Sequence, residues 1–144
     1  LDLSSNRLED EGGLSLLLPN SLRQLNLSSN PLSAPPLLLG CSLLLSLDLS
    51  YVTSMALQSA TFAPLPHLLQ LRLQGCGLQS LTEPSTSGTG TSVRSIFCRC
   101  RCLQDLCLAE NEIPTLAAVE AGVQVLRQHL MELDLRDNPV SSGS

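Results

Sequence analysis

The stretch LRQLNLSSNPL at residues 22–32 decides the fold of this chain. Leucine stands at its first, fourth, sixth and last positions, and an asparagine, Asn30, stands three residues after Leu27. Successive side chains of a β-strand point to opposite faces, so Leu25 and Leu27 point to one side and Asn26 to the other. The stretch therefore predicts a short strand with a buried leucine side and a presented middle residue, followed by a turn at Asn30.

The same pattern recurs along the chain. Further copies begin at Leu44, Leu68, Leu103 and Leu130, and the chain opens inside a truncated copy at Leu1. The second leucine of each LxL pair stands at residues 3, 27, 49, 73, 108 and 135, which gives steps of 24, 22, 24, 35 and 27 residues. A period of this size indicates a repeat architecture. One copy cannot bury its leucine row alone, so the copies are expected to stack with their strands in parallel.

Six copies in phase resemble the leucine-rich repeat family, and the resemblance covers nearly the whole chain. It implies an α/β fold: a leucine-rich repeat solenoid (horseshoe) with a parallel β-sheet on the concave side and loops or short helices on the convex side. We interpret residues 1–144 as an array of about six repeats. Because residue 1 already lies inside a motif, we expect the array to be a fragment of a longer one.

The asparagine after each LxL pair has a physical purpose. It stands where the chain leaves the strand, and its amide can satisfy turn groups that would otherwise be buried without a partner. Four copies carry Asn there, whereas another carries Cys76, a weak donor, and the third carries Val52, which cannot donate at all. The third copy is therefore expected either to be irregular or to rely on water for this hydrogen bonding.

The segments between the strands differ from one another. Phe62 lies in a return loop that resembles the typical repeats of receptor ectodomains, in which a Phe packs inside the loop. Residues 115–130 instead carry an apolar stripe at helical spacing after Thr115, a predicted N-cap, as in ribonuclease-inhibitor-like and other intracellular repeats. The two patterns favour different subclasses. Residues 82–92, TEPSTSGTGTS, are interpreted as a flexible insertion rich in Ser, Thr and Gly.

The chain contains six cysteines, four of them in one dense group. The members of that group are Cys98, Cys100, Cys102 and Cys107. Counting back in threes from Leu106 reaches Cys100, which then lies in the buried row as a small hydrophobe. Free structural thiols are the favoured interpretation, and a disulfide or a zinc site are the alternatives, although CxCxC spacing is unlike the CxxC of structural zinc sites.

Composition narrows the possible functions. The formal net charge is −5, which argues against binding of nucleic acid through its phosphates. The sequence contains no run of 18 or more apolar residues, so no membrane span is predicted. It also contains none of the GxSxG, HExxH or phosphate-loop motifs. We therefore predict neither an enzyme nor a cofactor site nor a metal site.

The presented residues form the candidate binding surface. They comprise the middle residues of the LxL pairs, two neighbours further along and the single tyrosine beside them. The set is Asp2, Asn26, Asp48, Tyr51, Arg72, Gln74, Cys107, Asp134 and Arg136. The family resemblance implies that this surface, on the concave side, contacts the partner. Arg72 and Arg136 are the predicted charged anchors, because arginine is enriched at interface hot spots.

The leading functional hypothesis is a protein–protein interaction module of the cell interior, acting as a scaffold or regulatory repeat domain whose partner is another protein. One alternative is a fragment of a receptor or extracellular-matrix ectodomain, with disulfides and a glycan on the Asn26-Leu27-Ser28 sequon. A second alternative is a set of regulatory repeats attached to an enzyme outside residues 1–144.

Overall fold

A five-stranded parallel sheet dominates the computed structural model, which describes residues 1–9, 18–53, 56–84 and 92–142. Each strand is three residues long, and the strands lie in the spatial order β1-β2-β3-β6-β7. Their bounds are β1 Gln24–Asn26, β2 Ser46–Asp48, β3 Gln70–Arg72, β6 Asp105–Cys107 and β7 Glu132–Asp134. The sheet is open, and with its few short helices the chain has an α/β repeat fold.

The register of the sheet confirms the repeat phase predicted from the sequence. In each of the five strands the first leucine of the LxL pair is the central residue, and these leucines pair with one another across the sheet. The truncated first copy does not form a full strand. It joins the sheet through a bridge between Asp2 and Asn26, supported by a hydrogen bond of 3.0 Å from the Asn26 N–H to the Leu1 carbonyl.

The core is a stack of leucine rows behind the sheet. Leu25 and Leu27 are 2% and 0% exposed, and the equivalent pairs of the next three strands are buried as completely. Burying a leucine side chain contributes about 1.5–3 kcal/mol, so each row of buried leucines stabilises the stacked repeats. Only in the last strand is the first leucine, Leu133, exposed, at 36%.

Each repeat turns sharply two residues after its second leucine. The residue there has a left-handed backbone, with φ between 52° and 65° in all six copies. These residues are Ser5, Ser29, Tyr51, Gly75, Glu110 and Asp137. Only one of them is glycine, so the stacked neighbours must hold the other five in a conformation that L-residues rarely adopt.

A ladder of asparagine side chains connects the turns, as predicted. The Asn30 amide donates to the carbonyl of Leu27 in its own repeat at 2.9 Å and to that of Leu3 in the preceding repeat at 2.8 Å. Asn111 and Asn138 repeat this arrangement. Because each of these three amides bridges two repeats, the ladder satisfies buried carbonyls that the sheet leaves unpaired.

The two copies that lack this Asn behave differently from each other. The Cys76 thiol takes the place of the amide and donates to the Leu49 carbonyl at 3.2 Å. Val52 is completely buried and adds its side chain to the core. The prediction of an irregular third copy is wrong, because β2 pairs in register with both of its neighbours. The main-chain ladder forms without the side-chain amide.

The return segments, which connect one strand to the next, carry the helices. Helix α1 (Ser59–Phe62) ends at a fully buried phenylalanine, whose ring centre lies 6.0 Å from that of Phe97. Helix α2 (Leu116–Val123) begins where the sequence predicts, with the Thr115 side chain accepting the Ala118 N–H at 3.2 Å, and a 3-10 helix (Gln124–Leu126) continues it. A last short helix, α3 (Pro139–Ser142), follows the final repeat.

The 35-residue step between β3 and β6 contains a second, antiparallel sheet. It pairs β4 (Thr82–Pro84) with β5 (Val93–Ser95). The predicted insertion at 82–92 thus begins with a strand, and its residues 85–91 lie outside the described part of the chain.

Polar contacts hold this hairpin against helices α1 and α2. The Glu83 carboxylate accepts hydrogen bonds from the backbone N–H and the hydroxyl of Ser59. It also forms an ion pair of 2.7 Å with Arg94. The Ser95 hydroxyl donates to the Gly122 carbonyl in α2. Burial alone would raise the pKa of Glu83, but its hydrogen bonds to Ser59 and Arg94 outweigh that effect and lower it.

Candidate partner-binding face of the sheet

The middle residues of the LxL pairs lie in one row across the sheet. Strand pairing aligns all six of them, from the first copy to the last. In order they are Asp2, Asn26, Asp48, Arg72, Cys107 and Asp134. We define the sheet face as this row together with the outward residues two positions before and after each member. Its side chains point away from the leucine core because successive residues of a strand alternate between faces.

Several of the acidic and amide side chains on this row have a structural role that the sequence did not indicate. In four copies the middle side chain accepts the backbone N–H of the residue two positions on, as when Asp48 accepts the Ser50 N–H at 2.9 Å. Asp2, Asn26 and Asp134 do the same. The Asp2 carboxylate also accepts the Ser4 hydroxyl at 2.6 Å, and this hydrogen bond lowers its pKa. An Asp or Asn whose side chain can accept the backbone N–H of the residue two positions on is the sequence signal for such a turn.

The two arginines of the sheet face are in different electrostatic states. Arg136 forms an ion pair of 2.7 Å with Asp134, and its Nε also donates to the same carboxylate at 3.0 Å. These side-chain hydrogen bonds lower the pKa of Asp134 to about 2 and raise that of Arg136. Arg72 is exposed and has no ion pair or hydrogen bond from its side chain to any described residue. Of the two predicted anchors, Arg72 is therefore the one whose charge is free.

Tyr51 and Gln74 meet at the end of the strands, together with a residue that the sequence did not single out. Glu110 accepts the Tyr51 hydroxyl at 3.1 Å and the Gln74 amide at 2.7 Å. The tyrosine ring lies directly over Gly75, where an added Cβ would come within 2.5 Å of a ring carbon. Partial desolvation and the contact with Glu110 raise the pKa of Tyr51. The cluster spans three repeats, and the ring is still 46% exposed.

The cysteines occupy two environments, and all six are described as free thiols. Cys100 is 1% exposed in the buried row, as predicted, and burial raises its pKa to about 12. Burial also raises the pKa of Cys76, to about 11. Cys107 is half-buried on β6 of the sheet face, with its sulfur 3.9 Å from a carboxylate oxygen of Asp134. Among the described residues, no three potential metal ligands lie close enough together to hold an ion.

A shallow depression of about 670 Å³ lies over the last three strands of the sheet face. Side chains of β3, β6 and β7 and of the residues that follow these strands form its floor. They include Arg72, Gln74, Asp105, Cys107, Glu132 and Asp134. The structure therefore brings most of the predicted residues of the second half of the chain to one open surface. It also adds Asp105 and Glu132, which sequence reasoning missed because they precede the LxL pairs.

Comparison with known proteins agrees with the repeat pattern. A family model described as Leucine Rich repeat matches residues 1–17 and 128–143, and a second, described as Leucine Rich Repeat, matches residues 21–43. No curated protein matches the chain. Within the described ranges, no helix has the length and apolar character needed to cross a membrane.

Proposed function

The chain is a leucine-rich repeat protein, and from this premise we propose that it binds another protein through the sheet face, which forms the concave side of a horseshoe-shaped solenoid. Proteins of this family typically bind other proteins and are typically not enzymes. The observation that carries the proposal is the register of the sheet, which aligns the middle residues of six copies in one row on a single face.

Different members of the row have different roles in this proposal. Asp2, Asn26 and Asp48 each use one side-chain oxygen to hold the backbone, so they shape the surface. The Arg72 side chain holds no backbone group among the described residues and is exposed, so all of its N–H donors are available to a partner. Tyr51 offers a ring that is held by Glu110 and is nearly half exposed, and a rigid aromatic side chain loses little entropy on binding.

We place this module inside the cell, as a non-enzymatic scaffold or regulatory domain. Its support is the state of the thiols, since six free cysteines fit a reducing compartment. The position of the sequon is a second argument, because a glycan on Asn26 would stand on the sheet face itself. The buried Phe62 in a return segment favours the alternative of an ectodomain, in which the same face would bind an extracellular protein.

The proposal can be tested by site-specific photo-cross-linking. A photoreactive residue replaces Asn26 on the sheet face or, as the control, the exposed Val125 on a return segment. We expect a specific protein to be cross-linked from position 26 and not from position 125. That partner is then purified and titrated against the wild type, Arg72→Glu and the matched charge reversal Arg127→Glu, which lies on an exposed return segment.

Arg72→Glu should weaken binding by about tenfold or more, because it replaces a favourable contact with a repulsive one, while Arg127→Glu should leave binding within about twofold. Circular dichroism melts of both variants check that the fold is retained. Cross-links confined to position 125, or equal loss of affinity in the two variants, would show that the partner binds elsewhere.

A further inference from the structure

Several charges of the sheet face have no ion pair with a described residue, and three of them lie around one depression. Asp105 on β6 and Glu132 on β7 are partners in the strand register, so their carboxylates stand side by side on strands about 4.8 Å apart. Neither side chain has a hydrogen bond or an ion pair with any residue that the structure describes, although Asp105 is half-buried. Two residues further along β7, Asp134 is already neutralised by Arg136.

The third of these charges is that of Arg72 on the neighbouring strand β3, whose register partner on the other side is Asp48 of β2. Arg72 lies one strand away from Asp105 and two strands away from Glu132, and its position is two residues further along the strand direction than theirs. These offsets separate the Cα atom of Arg72 from the midpoint of the Asp105 and Glu132 Cα atoms by about 10 Å. All three side chains line the same depression of about 670 Å³, together with the half-buried Cys107, which is the register partner of Arg72 on β6.

We propose that the sheet face over β3, β6 and β7 receives a partner segment with a defined charge pattern: a basic side chain between Asp105 and Glu132, and an acidic side chain at Arg72 about 10 Å away. This inference rests on the proposed function and narrows the class of partner. Two neighbouring carboxylates repel each other, and a lysine or arginine placed between them removes that repulsion and forms charge-assisted hydrogen bonds. Such complementarity favours one partner over others and speeds encounter.

The probe for the test is a short synthetic peptide of alternating lysine and serine, with its glutamate counterpart as control. Each peptide is titrated into ¹⁵N-labelled protein at low salt, and binding is followed through the chemical shifts of backbone amides. We expect the lysine peptide to shift the amides of Asp105, Cys107 and Glu132 first, and the glutamate peptide to leave them in place. Added salt should weaken the interaction, because exposed charges are screened.

A matched pair of double variants separates local charge from net charge. Asp105→Asn with Glu132→Gln should weaken binding of the lysine peptide by about tenfold. Glu9→Gln with Glu120→Gln removes the same net charge from exposed positions away from the depression and should stay within about twofold. Equal weakening in both double variants, or equal binding of the two peptides, would overturn the inference.

Arg72 supplies an independent readout of the charge pattern. A peptide that carries one glutamate beside its lysines should bind the wild type more tightly than the same peptide with glutamine, and this advantage should disappear in Arg72→Gln. Persistence of the advantage in that variant would overturn the role of Arg72. If the natural partner cross-links to the sheet face while the lysine peptide fails to bind, the proposed charge pattern of the partner is overturned and the proposed function stands. Cross-linking confined to return segments overturns the proposed function and this inference together.

Discussion

Replacing Asn111 with alanine should remove more stability than any other single change in the asparagine ladder. Its side chain is 4% exposed and forms hydrogen bonds with both of its polar atoms. The amide donates to the carbonyls of Leu73 at 2.8 Å and Leu108 at 2.9 Å. The carbonyl oxygen accepts the backbone N–H groups of Cys76 and Leu78, each at 3.0 Å. Asn111 thus joins two repeats across the longest step of the chain.

The magnitude follows from the groups that the substitution leaves without a partner. The carbonyls of Leu108 and Ala109 keep a second donor each, whereas the Leu73 carbonyl loses its only side-chain donor. The N–H groups of Cys76 and Leu78 are also orphaned, and both residues are buried. A buried group without a partner costs about 1–3 kcal/mol, and water reaching some of these groups reduces the sum, so we expect a loss of about 3–5 kcal/mol.

Urea unfolding followed by far-ultraviolet circular dichroism measures this loss, since the chain has no tryptophan and a single tyrosine. The matched control is Asn6→Ala, because Asn6 is exposed and its amide bonds only within its own repeat, to Leu3 and Ser4. That control should cost less than about 1 kcal/mol. Asn111→Cys should fall between the two, because a thiol can donate, as Cys76 does, but accepts only weakly.

The reasoning is refuted if Asn111→Ala lowers the unfolding midpoint no more than Asn6→Ala does, at an unchanged slope of free energy against urea. A changed slope would indicate that the repeats no longer unfold together, and the comparison would then be made by hydrogen exchange at the amides of Cys76 and Leu78.

Two further predictions concern the glycines of one turn and the loss of folding stability at low pH. Gly75→Ala should destabilise the protein by about 2–4 kcal/mol, because the backbone φ there is 65° and the added Cβ would collide with the Tyr51 ring. The control Gly77→Ala, at a φ of 70° in open space, should cost only about 1 kcal/mol. Equal unfolding midpoints for the two variants would contradict the collision. Asp134 ionises more readily in the folded protein than in the unfolded chain, so its stabilising contribution is complete above its ordinary pKa of 3.8 and is lost as the pH falls toward about 2. The carboxyl carbon of Asp134 should therefore titrate by NMR with a midpoint near 2, and Arg136→Gln should return that midpoint toward 3.8.

The sequence by itself determined the elements that depend on spacing. Each LxL pair predicted a strand with its leucines buried, and the pairs of the second to fifth copies are buried as predicted. The stripe after Thr115 predicted a helix with its N-cap, and counting in threes placed Cys100 in the core. These predictions succeed because the period of a strand or helix decides which side chains share a face, and the recurrence of one pattern decides what they pack against.

Only the tertiary structure decided which polar side chains are free. Arg72 and Arg136 look equivalent in the sequence, yet one is exposed without a partner while the other is held by Asp134. The hairpin inside the longest step was likewise not predicted, since its strands depend on Glu83 meeting Ser59 in the preceding repeat. Such contacts join residues that are distant in the chain, and their geometry is set by the stacking of repeats, so no local pattern records them. The leucines determine that the repeats stack, and the stacking then decides which charges remain for a partner.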